Sequence, residues 1–387
     1  MRILHVAPYF APAWSYGGTP RAVYELARCQ QRAGHSVTVL TTDALGATER
    51  AAILPTEVQD GVRIMRVRNL ANRLVWKQHF LLPVSWPTGL DVGSFDVVHL
   101  HETRTLLNTI VLGLVKPAQL VVFSPWGTLP FNDRLASVKR VLDLLWLPRL
   151  RARVDVALGQ TEHELEVLRA FGVGQQRVVV PLGIDPGIFK RLPTKAVARK
   201  LLGLEKSARV FLFLGRFAPA KGLGLLLRAF VKLASTTKQP VRLVCVGRDD
   251  GYLPEMRQFV QRHKNIPITI MKPLYEADRL AAYVAADWFV FTPTVFEETS
   301  TACLEALCCG CPVVTTEQAA IPLSADPPWL MQVPASEKAV LQALTKAAQL
   351  SRTSPQSLRV DTTQIKRYFS WTSIARRLTQ LYEKNSH

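Results

Sequence analysis

Residues 291–314, FTPTVFEETSTACLEALCCGCPVV, decide how the rest of the chain is read. An apolar run ends at Pro293, two acids follow at Glu297 and Glu298, and a third, Glu305, precedes Gly310 and Pro312 and then Val313-Val314. The pattern predicts a strand, a loop, a short helix, a turn and a second strand. Residues eight apart are rotated by about 80° on an α-helix, so Glu297 fits a loop and Glu305 the helix after it. Both carboxylates then face the crevice at the carboxyl ends of the strands, where open α/β sheets bind ligands. Alone, such a pair is more often two solvated acids.

A second stretch makes the pair meaningful. Residues 210–215 read as an apolar strand, followed by Arg216, a loop through Ala220, and Lys221-Gly222 at the start of a helical pattern. Two cations one loop apart can grip a pyrophosphate, and the first amides of a helix add their dipoles. Further along, strands are predicted at 241–247, 267–271 and 286–292. The loops after them, around Gly247, Arg248, Pro273 and Leu274, open on the same crevice and are further candidates for ligand contact, with Ser300 and Thr301 beside the carboxylates.

Upstream, the alternation of elements repeats. A strand at 3–7 leads to a loop at 8–18 and a helix at 19–33, with Gly17-Gly18 where that helix begins; two glycines let a backbone come close to a ligand. Strands follow at 36–41 and 62–67. The pattern is lost over 69–93, which holds Trp76, Phe80 and Trp86 and reads as an insertion. In DVVHLH, 96–101, the strand period points His99 and His101 the same way, with His101 at the open end and His99 bonded within the fold. After a strand at 120–124 comes Pro125-Trp126-Gly127-Thr128. The segment 134–153 sets Leu135, Val138, Leu142, Leu145 and Trp146 among Lys139, Arg140, Arg149, Arg151 and Arg153. That composition suits either an anionic lipid surface or a core helix with snorkelling edges. A strand at 154–158 precedes Thr161-x-x-Glu164, a capping box for a helix that Gly172 closes. A strand at 177–181, a linker at 186–206, and helices at 335–350 and 371–383 complete the order.

Taken together, the Glu297/Glu305 spacing before Ala306 and Gly-Cys-Pro-Val-Val, the LGRF and Lys-Gly pair, the Gly-Gly loop, the His-Leu-His-Glu strand end and PLGID at 181–185 resemble the retaining glycosyltransferases of family 4. The resemblance implies the GT-B fold, an α/β architecture of two Rossmann-like, doubly wound domains facing across a cleft. The expected divisions are 1–190 for the acceptor and 191–365 for the nucleotide sugar, with 366–387 as a helix crossing back to the first. It implies transfer of a sugar from a UDP-, GDP- or ADP-sugar to an acceptor hydroxyl with retention of configuration. Arg216 and Lys221 would stabilise the leaving diphosphate, Glu297 and His101 would approach the sugar, Glu305 would bind the ribose, and no metal or other cofactor is required. The acceptor would be a glycan or a lipid-linked sugar of cell-surface polysaccharide or glycolipid assembly, and 134–153 the contact with an anionic membrane. The chain departs from the family at Trp126, where Arg is common, at Leu182, where Asn is usual, at Glu298-Thr299-Ser300, where Gly-Phe-Gly is frequent, and at Ala319-Ala320-Ile321-Pro322. A catalytically silent GT-B subunit that binds nucleotide sugar or polysaccharide, and a GT-B nucleotide-sugar epimerase, are the alternatives.

Composition agrees. The 387 residues exceed one ordinary core, and 48% hydrophobic against 20% charged residues fills two. A formal charge of +18 favours phosphorylated ligands or anionic membranes; no Lys/Arg block interleaved with aromatics points to nucleic acid. The 6 cysteines show neither disulfide-framework nor zinc spacing, which implies a reducing cytoplasmic setting, at most peripheral to the inner membrane face. No G-x-G-x-x-G follows either first strand and no Asp-x-Asp occurs, so neither a nicotinamide dinucleotide nor a metal-bound diphosphate is expected. His5 and Pro8 interrupt the apolar start too early for a signal peptide.

Overall fold

The computed structural model describes residues 1–54, 57–72, 81–130, 136–205, 207–297, 299–319, 321–323, 327–353 and 358–386. Trp76, Phe80, Glu298 and Ala320 lie outside the described residues. The chain divides into two compact units, one of Met1–Gly183 with Trp371–His387, the other of Ile184–Ser370.

The first unit is built on eight strands: β1 (Arg2–Val6), β2 (Ser36–Thr42), β3 (Glu57–Gln59), β4 (Val62–Val67), β5 (Val97–His101), β6 (Leu120–Ser124), β7 (Val156–Gly159) and β8 (Gln176–Val179). Their order is β3-β4-β2-β1-β5-β6-β7-β8, and every pairing is parallel except β3 with β4. All five residues of β5 and of β6 are buried, as expected of parallel strands covered on both faces. The covering helices are α1 (Gly18–Arg32), α2 (Leu106–Leu114), α3 (Ala136–Arg153) and α4 (Glu162–Ala170). Strand order reverses between β1 and β5, which places a crevice at their carboxyl ends. The Thr161 hydroxyl caps α4 at 3.2 Å from the Glu164 amide. The returning arm of the expected capping box is redirected: the Glu164 carboxylate accepts from the amides of Gln160 and Gly127, at 2.8 and 2.6 Å.

The second unit holds β9 (Arg209–Leu214), β10 (Val241–Val246), β11 (Ile268–Met271), β12 (Trp288–Phe291), β13 (Val313–Thr316) and β14 (Leu330–Val333). They form an all-parallel sheet in the order β11-β10-β9-β12-β13-β14, with its switch point between β9 and β12. Around it lie α5 (Lys195–Leu201), α6 (Leu223–Thr236), α7 (Leu253–Arg262), α8 (Glu276–Ala285), α9 (Thr301–Cys308), α10 (Glu337–Thr353) and α11 (Thr362–Phe369). The linker expected at 186–206 is folded instead: Thr194 caps α5, whose Ala198 packs on Ala281 and Ala285 of α8. The buried Arg199 ties α5 down by donating to Asp287 at 2.6 Å and to the Ala285 carbonyl at 3.1 Å.

The last helix, α12 (Trp371–Asn385), belongs to the first unit. Its buried face is Trp371, Ile374, Ala375, Leu378 and Tyr382, a helical stripe that packs with Ala22 and Leu26 of α1 and with Ile3, Val97, Leu120 and Val122 of the sheet.

Candidate functional site

The switch point of the second sheet gathers the residues that the sequence singled out there. After β9, the backbone turns through a single 3-10 turn, Pro219–Lys221, into Gly222 and α6. Gly222 has φ +69°, and a Cβ there would lie 1.6 Å from the Thr292 carbonyl oxygen at the end of β12. Only glycine meets both demands. The Thr294 amide also donates to the Ala220 carbonyl at 3.1 Å, so the loop after β9 is sewn to the loop after β12. This close approach brings Lys221 onto Glu297, an ion pair in which the two side chains are 15% and 25% exposed. The Lys221 ammonium also lies 5.5 Å from the Phe291 ring centre.

Burial, reinforced by repulsion from Arg216, lowers Lys221 to about 8, against the opposing pull of Asp250 and Cys303. Arg216 is half exposed and pairs with Asp250 in the turn after β10. Glu305 on α9 is held from α8: Arg279 Nη1 donates to Oε1 at 2.6 Å and the Tyr283 hydroxyl to Oε2 at 3.3 Å. Ser300 stands just before α9 and Thr301 opens it. Arg216, Lys221, Asp250 and Glu297 sit on carboxyl-end loops, while Glu305, Arg279 and Tyr283 reach in from the bodies of α9 and α8. The Lys221–Glu297 and Arg216–Asp250 pairs each hold a cation that an anionic ligand can take by exchange.

The remaining predicted residues of this unit lie on the loops after β10 and β11. Gly247 is required by packing, since a Cβ there would lie 1.9 Å from the Gly215 carbonyl oxygen. Arg248 is exposed and its carbonyl accepts from the Phe217 amide at 2.8 Å, and Leu274 packs on the apolar core.

In the first unit, Gly17 and Gly18 lie where α1 begins, and a Cβ at either would meet nothing within 4 Å, so this backbone borders open space. His101 does not border it. It is fully buried with His5 and His99, and its ring is covered by Trp126. The Trp126 indole N–H donates to His101 Nδ1 at 3.0 Å. An indole nitrogen only donates, so the neutral His101 carries its proton on Nε2, which donates to His5 Nδ1 at 2.9 Å; His5 Nε2–H then donates to Gln30 Oε1 at 2.7 Å. His99 bonds to Ser124 and to Tyr382 of α12, both at 2.8 Å, as expected of a residue bonded within the fold. Burial lowers His5 to about 4 and holds His99 and His101 well below the usual range, where mutual repulsion among the rings acts the same way. The ligand atoms of these three histidines lie within 4.8 Å of one another, a metal-triad distance, but each of the six ring nitrogens already has a hydrogen-bond partner.

Beside this network three non-glycine residues occupy the left-handed region, Glu102 (φ 61°), Arg104 (φ 57°) and Trp126 (φ 54°), all just past the ends of β5 and β6. Such strain concentrates at functional loops. Burial raises Glu102 to about 7 against a hydrogen bond from Thr19 in the first turn of α1. Sequence reasoning missed Glu102, Asp250, Arg279 and Tyr283. Glu102 stood in the sequence only as the end of the His-Leu-His-Glu run, and Arg279 and Tyr283 left the i, i+4 spacing that sets both on one face of α8.

Two family models match the chain in series. Residues 16–187 match Glycosyltransferase Family 4, and residues 208–349 match Glycosyl transferases group 1. The chain belongs to glycosyltransferase family 4. Among relatives of this family, it is 33% identical over 182 residues to a D-inositol 3-phosphate glycosyltransferase of Segniliparus rotundus, a match spanning 46% of this chain and 40% of that protein. It is 26% identical over 326 residues to an uncharacterized glycosyltransferase of Methanocaldococcus jannaschii, 78% of each. Of solved structures, sucrose-phosphate synthase from Thermosynechococcus elongatus is similar at a TM-score of 0.69 and 19% identity, covering 99% of this chain and 98% of that one. HepE of Anabaena in complex with UDP-glucose gives 0.68 and 17%, covering 99% and 100%. The fold is the two-domain GT-B type of these structures.

Proposed function

We propose that this protein transfers a sugar from a nucleoside diphosphate sugar to an acceptor hydroxyl, with retention of configuration and without a metal. The observation that carries the reading is the Arg216–Lys221–Gly222 loop at the switch point of the second sheet, with Glu297 and Glu305 on the neighbouring loop and helix. Cleavage of the glycosyl–phosphate bond builds negative charge on the diphosphate. Two fixed cations beside a helix start stabilise that charge most in the transition state, which is where binding accelerates a reaction. Loss of one such contact costs about 3 kcal/mol, roughly a hundredfold in rate.

Glu305 would receive the ribose hydroxyls and Glu297 the sugar, once a phosphate oxygen has replaced it on Lys221. The departing phosphate itself takes the acceptor proton, so retention follows without a dedicated base. His101 stays in this reading as a residue whose Nδ1, the acceptor of the Trp126 indole N–H, is freed for a sugar hydroxyl when the indole turns away. A UDP-sugar is the first donor to test, because the similar HepE structure holds UDP-glucose.

The acceptor proposed is a glycan or lipid-linked sugar, met by peripheral contact with an anionic membrane. Leu106, Ile110 and Leu114, 38%, 41% and 48% exposed, form one stripe along α2, and Leu144 on α3 is 75% exposed near the exposed Arg140, Arg149 and Arg151. An apolar ridge with basic flanks is the composition of an interfacial surface. No helix among the described residues is long and apolar enough to cross a membrane.

The test is thermal stabilisation by UDP-, GDP- and ADP-sugars in the presence of EDTA, comparing the wild type with Lys221→Ala and Glu305→Ala. A ligand that binds the folded state raises its stability with concentration over Kd. A shift lost in both variants, followed by transfer to a glycan acceptor with the anomeric outcome read by NMR, supports the proposal. If no nucleotide sugar shifts the wild type, or if both variants shift as much as the wild type does, the assignment of the donor site is wrong.

A further inference from the structure

Left unrestrained, Glu305 would be a weaker acceptor for a ribose diol. It projects from α9, a helix of eight residues, on a side chain with three rotatable bonds, and an unrestrained carboxylate loses rotamer entropy whenever it grips a ligand. The structure shows a restraint on each of its oxygens. Arg279 Nη1 donates to Oε1 at 2.6 Å and the Tyr283 hydroxyl to Oε2 at 3.3 Å. Both donors come from one face of α8, a turn apart. Tyr283 is fully buried against Phe289, in T-shaped contact at 5.3 Å, so its hydroxyl is a fixed point of the core. The Arg279 side chain is 31% exposed and the Glu305 side chain 12%, so the pair stands at the edge of the core.

We propose that Arg279 is a positioning residue that fixes the Glu305 carboxylate, with Tyr283 as its second anchor, in the orientation that accepts the two ribose hydroxyls of the donor nucleotide. The inference rests on the donor-site reading above and adds to it a determinant of ribose over deoxyribose. A carboxylate oxygen accepts more than one hydrogen bond, so an anchor on each oxygen is compatible with a diol on the same group. A group built to bond a hydroxyl pair discriminates against the ligand that lacks one of them, because an unmade bond to a buried polar group is costly. The discrimination depends on the group's being held still.

The experiment is calorimetric titration of the full chain with UDP, GDP and ADP and with their 2′-deoxy forms, for the wild type, Arg279→Ala, Arg279→Lys and Tyr283→Phe. The wild type should prefer at least one ribonucleotide by about tenfold. Arg279→Ala should lose about tenfold for that ribonucleotide and little for its deoxy form, bringing the ratio close to one. Arg279→Lys keeps a cation but loses the planar fork, and should give an intermediate ratio. Loss of a merely structural tether would lower the urea midpoint and leave the ratio in place. A wild-type ratio retained in Arg279→Ala, or in Arg279→Lys if the alanine variant does not fold, overturns the inference and leaves the donor site standing. No discrimination in the wild type overturns the assignment of Glu305 to the ribose, and the inference with it.

Discussion

Affinity for a nucleoside diphosphate should fall as pH rises through about 8, because that is where burial and Arg216 place the Lys221 ammonium. A lysine whose pKa is lowered is cationic below that value and neutral above it, and only the cation grips a diphosphate. The Lys221 side chain is 15% exposed, so solvent screens the effect little. If binding needs the charged form, the apparent Kd grows with the neutral fraction, which is about one tenth at pH 7 and about nine tenths at pH 9 for a pKa of about 8. The expected weakening is about tenfold, or about 1.4 kcal/mol. Calorimetric titration with UDP at constant ionic strength measures it. Lys221→Arg keeps its charge throughout that range and should give a flat profile, which also corrects for ionisation of the base. Lys221→Ala should be weaker and equally flat. A flat wild-type profile together with a weakened alanine variant would refute the reasoning, and would show that the Glu297 carboxylate holds Lys221 charged against its burial.

Gly222→Ala should cost about 3 kcal/mol in urea unfolding, from a left-handed backbone and a Cβ that overlaps the Thr292 carbonyl, whereas Gly18→Ala should change stability by less than about 0.5 kcal/mol. Arg104 and Asp143 form a bidentate pair at 2.8 and 2.9 Å with side chains 5% and 9% exposed. Arg104→Met should therefore destabilise by about 3–5 kcal/mol, and Arg104→Met with Asp143→Leu should recover part of the loss on the same urea curves. Tyr382→Phe leaves His99 Nδ1 without its partner and should lower unfolding free energy by about 1–3 kcal/mol, although the residue lies far along the chain from β5.

Sequence by itself determined most of the element order, and it did so where local signals are strong. The runs of β5, β6, β9 and β10 are apolar because both sheet faces are covered, so they read as strands without any partner in view. Glu297 on a loop and Glu305 on the following helix came from helical geometry alone, and Gly222 from its place before a helical pattern. Four-residue strands such as β7, β8, β11 and β12 were expected near their places, but α5 and β14 were not legible. A seven-residue helix such as α5 or a four-residue strand such as β14 has too few turns or alternations to show a period. Packing at two expected site residues was also not visible from the sequence: the Gly247 position is fixed by the Gly215 carbonyl, and His101 is covered by Trp126.

What only the tertiary structure decided is which charges meet. Lys221 is 76 residues from Glu297, Arg216 is 34 from Asp250 and Arg279 is 26 from Glu305. No local rule couples such positions. Each pair forms because parallel strands bring their carboxyl ends to one edge of the sheet, and the order of those strands sets which loops become neighbours. The residue types at the site are local and can be read one at a time, while their pairing depends on the strand order and on the space left between backbones.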